Sequence, residues 1–452
     1  MYSVIFPFVA DMITSLNAPT DKVGLYAGLA EGSLMIVEAV VAPLAAKAGD
    51  SFGRRPTIIL GFLPCIVASI LVGFSRTVWQ VILWRGLTGM NPFAVTGKSL
   101  CSEISNPSNR AKVFAIYSPS FSAGFTVGVA LGGQLTHAYG RLPWWLGGEM
   151  ELWRTWPYAL PCLVSGFLSE QDQRLMRRGM LATVIAILRL PETRTPTADD
   201  VRRNESDPIT PRSRFSEVWT VPDFPAVTTV FCLTVGFSSD AILSVYTYTP
   251  VPRGGLGLSV DVIGTLMSAA AFAYIVFTPF AFPYMTKRFG MIRSLTIVLG
   301  VWPLIAMCLP AAQYFAGSDR AVMWIVVLFQ QSSKVLGQFA WPLCDTLTMN
   351  VLDDHPRLRA TGAAVSSLAG AGGRAVGPTV AGWLYSISSS RPAGSWGRQI
   401  YWVSLLCISL LPVGVSQIWL KEAKREGYLQ LPTTSPPYAE EEEAREDLYI
   451  QT

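Results

Sequence analysis

The sequence predicts an all-α membrane protein, with twelve transmembrane helices arranged as two pseudo-symmetric six-helix bundles. Half of the 452 residues are hydrophobic and only 15% are charged, against about 25% charged in soluble domains; the mean hydropathy is +0.37. Apolar segments of about 20 residues, long enough to cross a bilayer, recur along nearly the whole chain. One long polar stretch divides them six and six, and short motifs repeat on its two sides.

Polar, charged or Gly/Pro interruptions set the spans at about 1–15, 25–46, 57–74, 78–97, 112–134, 157–190, 224–248, 260–283, 292–312, 321–345, 361–386 and 399–420. The first is short, and MYSVIFPFVADMITSL reads as the outer part of a helix whose start is missing. The sixth is split. Tyr158 to Leu168 and Leu181 to Leu190 are apolar but each too short to span, and SEQDQRLMRRGM between them holds five charged residues. Either the backbone re-enters there and lines a cavity, or residues 169–180 are a retained intron or mis-called exon. The cost of five charges at mid-depth favours the second.

Pro191 to about Pro222, rich in Pro, Thr, Ser and charge, reads as a flexible linker. It separates an N-terminal bundle, residues 1–190, from a C-terminal bundle, residues 223–420; residues 421–452 form an acidic, disordered tail that includes Glu440 to Glu443. Lys and Arg gather in the short loops on the side of the amino terminus, among them Lys47, Arg54, Arg55, Lys287 and Arg288, and are sparser opposite. That bias puts both termini in the cytoplasm, and with them the Asn204 sequon, which should stay unglycosylated.

Composition also excludes function classes. A net charge of +4, spread over loops, builds no nucleic-acid groove. Seven cysteines, mostly inside apolar stretches and without a close pair, read as small hydrophobes. His137 and His355 are the only histidines, so no metal cluster and no cofactor is expected. The sequence has no GxxxxGK[ST] loop, which excludes direct ATP drive.

The two parts echo each other. SFGRRPTIILG (51–61) follows the second span and KRFGMIRSLTIVLG (287–300) the eighth; GVALGG (128–133) lies in the fifth and GPTVAG (377–382) in the eleventh. Matching repeats in corresponding places mark transporters whose halves rock around a central site.

Asp11, Glu31, Glu38, Arg85, Asp240, Lys334 and Arg374 fall inside spans. A central charge facing lipid costs about 2.5 to 3.5 kcal/mol on insertion scales, so these residues should pair or line a polar central cavity. Glu31 and Glu38 stand two turns apart on one helical face. Taking a carboxylate out of water favours its neutral form, so Glu31, Glu38 or Asp240 is expected to carry a proton; static pairing with Lys334 or Arg374 is the alternative. Trp341, Tyr246 and Tyr248 are expected to wall a substrate pocket with Asp11, Lys334 and Arg374, although interfacial anchoring accounts for most aromatics here.

AKAGDSFGRRP (46–56) resembles the signature loop between helices two and three of the major facilitator superfamily. Asp50, Gly53, Arg54 and Arg55 match, while Ala46 and Ser51 replace the usual Gly and basic residue. Gly permits a tight turn, and the carboxylate and cations can hold one another as a latch at the cytoplasmic gate. Arg85 in WRGLTG matches the family's intramembrane Arg; Glu103 and Arg110 resemble its charged gate partners, with ordinary loop charges as the alternative. GFTVGVALGG (124–133) resembles the fifth-helix motif of proton-coupled exporters, with Val129 where Pro is usual and Pro378 in the equivalent place of span eleven. Its Gly124, Gly128, Gly132 and Gly133, with Gly377, would let helices approach closely.

FPF (6–8), GLAEGSL (28–34), GGLGLS (254–259) and SSLAGAGGRAVGP (366–378) extend the likeness. The chain looks like the drug:proton antiporter type, similar to fungal and plant zinc-induced facilitator-like transporters. The resemblance implies a monomeric carrier of a small molecule and protons in the lipid bilayer of the plasma membrane or vacuole, working by alternating access as an efflux antiporter. A nutrient uniporter or importer of the same fold, a transport-inactive receptor or scaffold and, remotely, a membrane enzyme are the competing readings.

Overall fold

The computed structural model describes residues 2–52, 54–91, 110–143, 148–176, 215–237, 240–352, 355, 358–392 and 395–419. Among the described residues the regular structure is helical. Before the polar stretch come α1 (Val9–Ser15), α2 (Val23–Phe52), α3 (Arg54–Gly73), α4 (Val78–Leu87), α5 (Arg110–Leu135) and α6 (Ala159–Met176). After it come α7 (Phe224–Phe237), α8 (Asp240–Tyr248), α9 (Val260–Phe289), α10 (Met291–Ala316), α11 (Arg320–Gly337), α12 (Ala340–Val351), α13 (Arg359–Ser389) and α14 (Ile400–Trp419).

Local chemistry explains the ends. The Thr77 side chain accepts the Gln80 N–H at the start of α4, and Asp319 Oδ1 accepts from Ala321 and Val322 at the start of α11, each satisfying an orphan donor of a first turn. Gly290, at φ 77°, stops α9 and lets α10 begin at once. α2 and α9 are both 30 residues long, and each ends on a Phe, Phe52 and Phe289.

Several expected boundaries shift. The helix expected over 78–97 ends at Leu87 and turns at Thr88 and Gly89, because Gly is a poor helix former and Asn91 precedes a proline. The tenth span is two helices, α11 and α12, parted by a turn at Gln338 and Phe339. In the sixth, α6 does not stop at Leu168 but runs on to Met176, since Glu, Gln, Arg, Leu and Met are good helix formers whatever their polarity; residues 177–214 lie outside the described residues. Four described stretches, Val23–Ala42, Val260–Phe289, Met291–Ala316 and Trp396–Ile418, are each long and apolar enough to cross a membrane, with shorter apolar helices beside them.

Large apolar side chains point outward: Trp79, Phe280, Tyr314, Ile325 and Ile418 are all more than 60% exposed. Such a surface is out of place in water and at home in hydrocarbon. Two long antiparallel pairings join helices from the two sides of the polar stretch, α2 with α13 and α5 with α9. The largest core cluster lies where these pairs meet, running from Val4 and Met12 through Ile242 and Tyr246 to Tyr385 and Trp402. A second cluster, around Val227, Leu295 and Leu347, belongs wholly to helices after the stretch.

Both pairings rest on missing side chains. A Cβ on Gly28 would overlap the Pro378 carbonyl oxygen, and a Cβ on Gly133 would lie 2.7 Å from the Gly264 Cα. Gly therefore sets the interhelical distance at each crossing.

Candidate functional site

Glu31, on the α2 face that meets α4, is 7% exposed, and Arg85 of α4 is 2% exposed. Arg85 Nη2 stands 3.6 Å from Glu31 Oε2, and the Tyr2 hydroxyl donates to Glu31 Oε1 at 2.8 Å. The guanidinium also lies over the rings of Tyr2 and Phe6, at 5.3 and 5.6 Å from their centroids, a placement that favours a desolvated cation. Arg85, expected among the gate charges, is thus a partner of Glu31: its position in the last turn of α4 points it into the helix packing.

Two turns along α2, Glu38 Oε1 stands 3.8 Å from Arg374 Nη2 of α13. The Arg374 guanidinium lies 5.6 Å from the Trp341 ring of α12, and that ring meets Phe231 edge to face. The Glu38 and Arg374 side chains keep 15% and 23% exposure, unlike the nearly sealed Glu31 and Arg85. Glu38 and Arg374 come from opposite sides of the polar stretch, so this ion pair spans the α2–α13 crossing.

A second polar centre surrounds Asp11 of α1. Its Oδ2 lies 2.6 Å from His137 Nε2 and 2.9 Å from the Tyr158 hydroxyl, and its Oδ1 accepts from Tyr248 at 2.7 Å. His137 takes a left-handed conformation just past α5 and donates its N–H to the Pro157 carbonyl. Tyr248 ends α8, so its bond ties the two parts together, as do Leu25 N–H to Ser386 Oγ (2.9 Å) and Gln134 Nε2 to Thr265 Oγ1 (3.0 Å) at the same end of the bundle. A hydrogen bond to a carboxylate contributes about 1.5 to 3 kcal/mol. Tyr248→Phe should therefore loosen this end and speed hydrogen exchange of the α8 amides about tenfold or more; unchanged exchange would show that the bond fastens nothing.

The residues expected to wall one pocket are divided among three places. Asp11 sits in the network just described, with Tyr248; Trp341 and Arg374 flank Glu38; Lys334 and Tyr246 border a cavity among the helices after the stretch. Tyr246 is 1% exposed with its hydroxyl held by the Leu309 carbonyl oxygen, so it serves packing there. Among the glycines, Gly128 and Gly132 meet Ser3 and Val4 near α1, and Gly377 meets the Gly236 carbonyl; Gly124 has nothing within 4 Å among the described residues, so close packing does not explain it. Gly53 and Glu103 lie outside the described residues, as do the side chains of Asp50, Arg54, Arg55, Arg110 and Asp240. Nothing local in the sequence marks Tyr2, Tyr158 or His137 as a partner of these carboxylates. The one signal pointing to them was the need of a buried carboxylate for donors.

A family model described as Major Facilitator Superfamily matches residues 1–254. The efflux pump azaK of Aspergillus niger is 28% identical over 337 residues, 72% of this chain and 65% of that pump, so the chain spans just under two thirds of its length. Protein ZINC INDUCED FACILITATOR-LIKE 1 of Arabidopsis thaliana is 24% identical over 430 residues, 91% of this chain and 86% of that protein. Among solved structures, a bacterial homologue of the human lysosomal transporter Spinster, in an inward-facing and occupied conformation, superposes with a TM-score of 0.60 at 17% identity, covering 96% of this chain and 95% of that one. The nucleoside transporter NupG gives 0.61 at 12% identity, covering 92% and 96%.

Proposed function

The chain belongs to the major facilitator superfamily, and from that premise we propose that it exports a small molecule against an inward flow of protons. It does so as a monomer of twelve spans in two halves, residues 1–190 and 223–420, joined by the cytoplasmic linker 191–222. Membership and the apolar helices make it an integral, multi-pass membrane carrier. The end holding Asp11, His137 and Tyr248 is read as the outer end, in the plasma or vacuolar membrane, with both termini in the cytoplasm.

The Glu38–Arg374 ion pair carries the reading. It joins the two halves and keeps some access to solvent, so a proton reaching Glu38 cancels the attraction holding α2 to α13 and favours parting of the halves. Glu31 is read as fixed by Arg85 and Tyr2, which leaves Glu38, with Asp240, as the proton carrier. At the opposite end the latch residues Asp50, Gly53, Arg54 and Arg55, with Glu103 and Arg110, would hold the alternate state. Organic anions, metal chelates, toxins and drugs are the substrate classes to screen in cells with and without the chain.

For the substrate so found, flux into proteoliposomes should fall to the empty-vesicle level when the pH gradient is collapsed. The Glu38→Gln chain should give the same flux with and without a gradient. Flux in the parent chain that ignores the gradient would remove antiport.

A further inference from the structure

A cavity of about 490 Å³ lies wholly among helices of the C-terminal half, bordered by α7, α8, α10, α11, α13 and α14. It is distinct from the Glu31–Arg85 and Glu38–Arg374 pairs, and its size falls in the range that encloses a drug-sized ligand. Its wall is almost entirely apolar, with Leu309, Trp402 and Leu405 among the lining residues.

Gln330 also lines it, is 2% exposed, and has an amide oxygen without a hydrogen-bond partner among the described residues. The Trp302 Nε1, on the same cavity, is likewise buried and unpartnered. Buried polar atoms left unpaired cost about 1 to 3 kcal/mol each, so they point to a missing occupant.

The mouth says where that occupant comes from. Val376 and Val380 line the cavity yet are 60% and 39% exposed. They continue an apolar stripe along α13 through Leu368 and Trp383, beside exposed Val403 and Leu410 on α14. In a membrane such a face meets acyl chains, so the cavity opens sideways into hydrocarbon.

Charge narrows the chemistry. Lys334, four residues and about one turn from Gln330, borders the same space. A charged donor would lose its hydration inside an almost wholly apolar wall, and a carboxylate offers nothing for the Gln330 oxygen to accept. What remains is a neutral donor on a long apolar body. We propose that this cavity holds a lipid alcohol drawn laterally from the bilayer, its hydroxyl donating to Gln330 Oε1 and its hydrocarbon packed against Leu309, Val376 and Trp402. The site is separate from the path proposed for cargo, and it stands whether or not transport is proton-coupled.

The test uses the purified full chain in detergent and the quenching of its tryptophan fluorescence by brominated lipids, since Trp302 and Trp402 line the cavity. Two probes are compared, 9,10-dibromooctadecanol and 9,10-dibromooctadecane. The alcohol should quench saturably at a concentration about fivefold to tenfold lower than the hydrocarbon, the advantage of one hydrogen bond to a buried acceptor. Gln330→Leu should bring the alcohol to the hydrocarbon's level. Ala381→Phe, which fills the cavity from its wall, should abolish the saturable part for both probes. Equal quenching by the two probes in the parent chain, an advantage that survives Gln330→Leu, or saturable quenching that survives Ala381→Phe would overturn the proposal. Should Gln330→Leu not fold, the parent-chain comparison and Ala381→Phe still decide it.

Discussion

Arg85→Leu is expected to lower the melting temperature of the chain sharply, while Glu31→Gln combined with Arg85→Leu restores it. The reason is the sealing of the pair: the two side chains are 8% and 3% exposed. Removing one member of a buried ion pair leaves an uncompensated charge and costs about 3 to 5 kcal/mol, whereas replacing both with neutral groups of similar volume is often harmless. A loss of that size is a large share of the 5 to 15 kcal/mol that typically holds a domain together. Tyr2 cannot rescue the single variant, because one hydroxyl hydrogen does not neutralise a carboxylate. Thermal unfolding of the three purified chains in detergent measures the effect, and an Arg85→Leu chain that melts with the parent would show that Glu31 is not held as an ion.

Gly28→Leu is expected to abolish transport while leaving the separate helices intact. A side chain at this position has no room, since even its Cβ would overlap the Pro378 carbonyl oxygen. That obstacle is backbone, which cannot swing aside as a side-chain tip would, so α2 and α13 must move apart. Overpacking of this kind costs about 1 to 3 kcal/mol in a well-packed core, and here it falls on the contact that closes one end. Cysteines placed at Leu25 and Ser386, whose backbone N–H and hydroxyl are 2.9 Å apart, should cross-link in the parent background and fail to do so with Gly28→Leu. Cross-linking at the parent rate would mean that the crossing tolerates bulk.

Much of the fold was legible because hydropathy and span length are properties of single segments. The glycines of GVALGG and GPTVAG were readable for the same reason, and the structure gives Gly133 and Gly382 matching positions against α9 and α2. What the sequence hid was partnership. Arg85 and Glu31 are 54 residues apart, and nothing local ties one to the other, while the WRGLTG motif by itself points Arg85 to the gate. His137 carries no local signal beyond that of a lone histidine; its position beside Asp11 depends on how α5 ends and where α1 lies. Tyr246 looked like a wall for substrate because an aromatic ring near a polar span invites that reading, yet its hydroxyl is spent on Leu309. The break between α11 and α12 has no Pro or Gly at its centre, only Gln338 and Phe339 after Gly337, so a continuous helix was the natural expectation.

The two glycine crossings have a consequence for speed. Where long side chains interlock, separating two helices requires each to find a new rotamer and each polar tip a new partner. At Gly28 with Pro378 and Gly133 with Gly264 the touching surfaces are mostly main chain, which has no torsions of its own to rearrange once the helix is formed. A joint of this type behaves like two smooth plates: it gives up short-range dispersion all at once, has few intermediate catches, and can re-seat in the same register on every cycle.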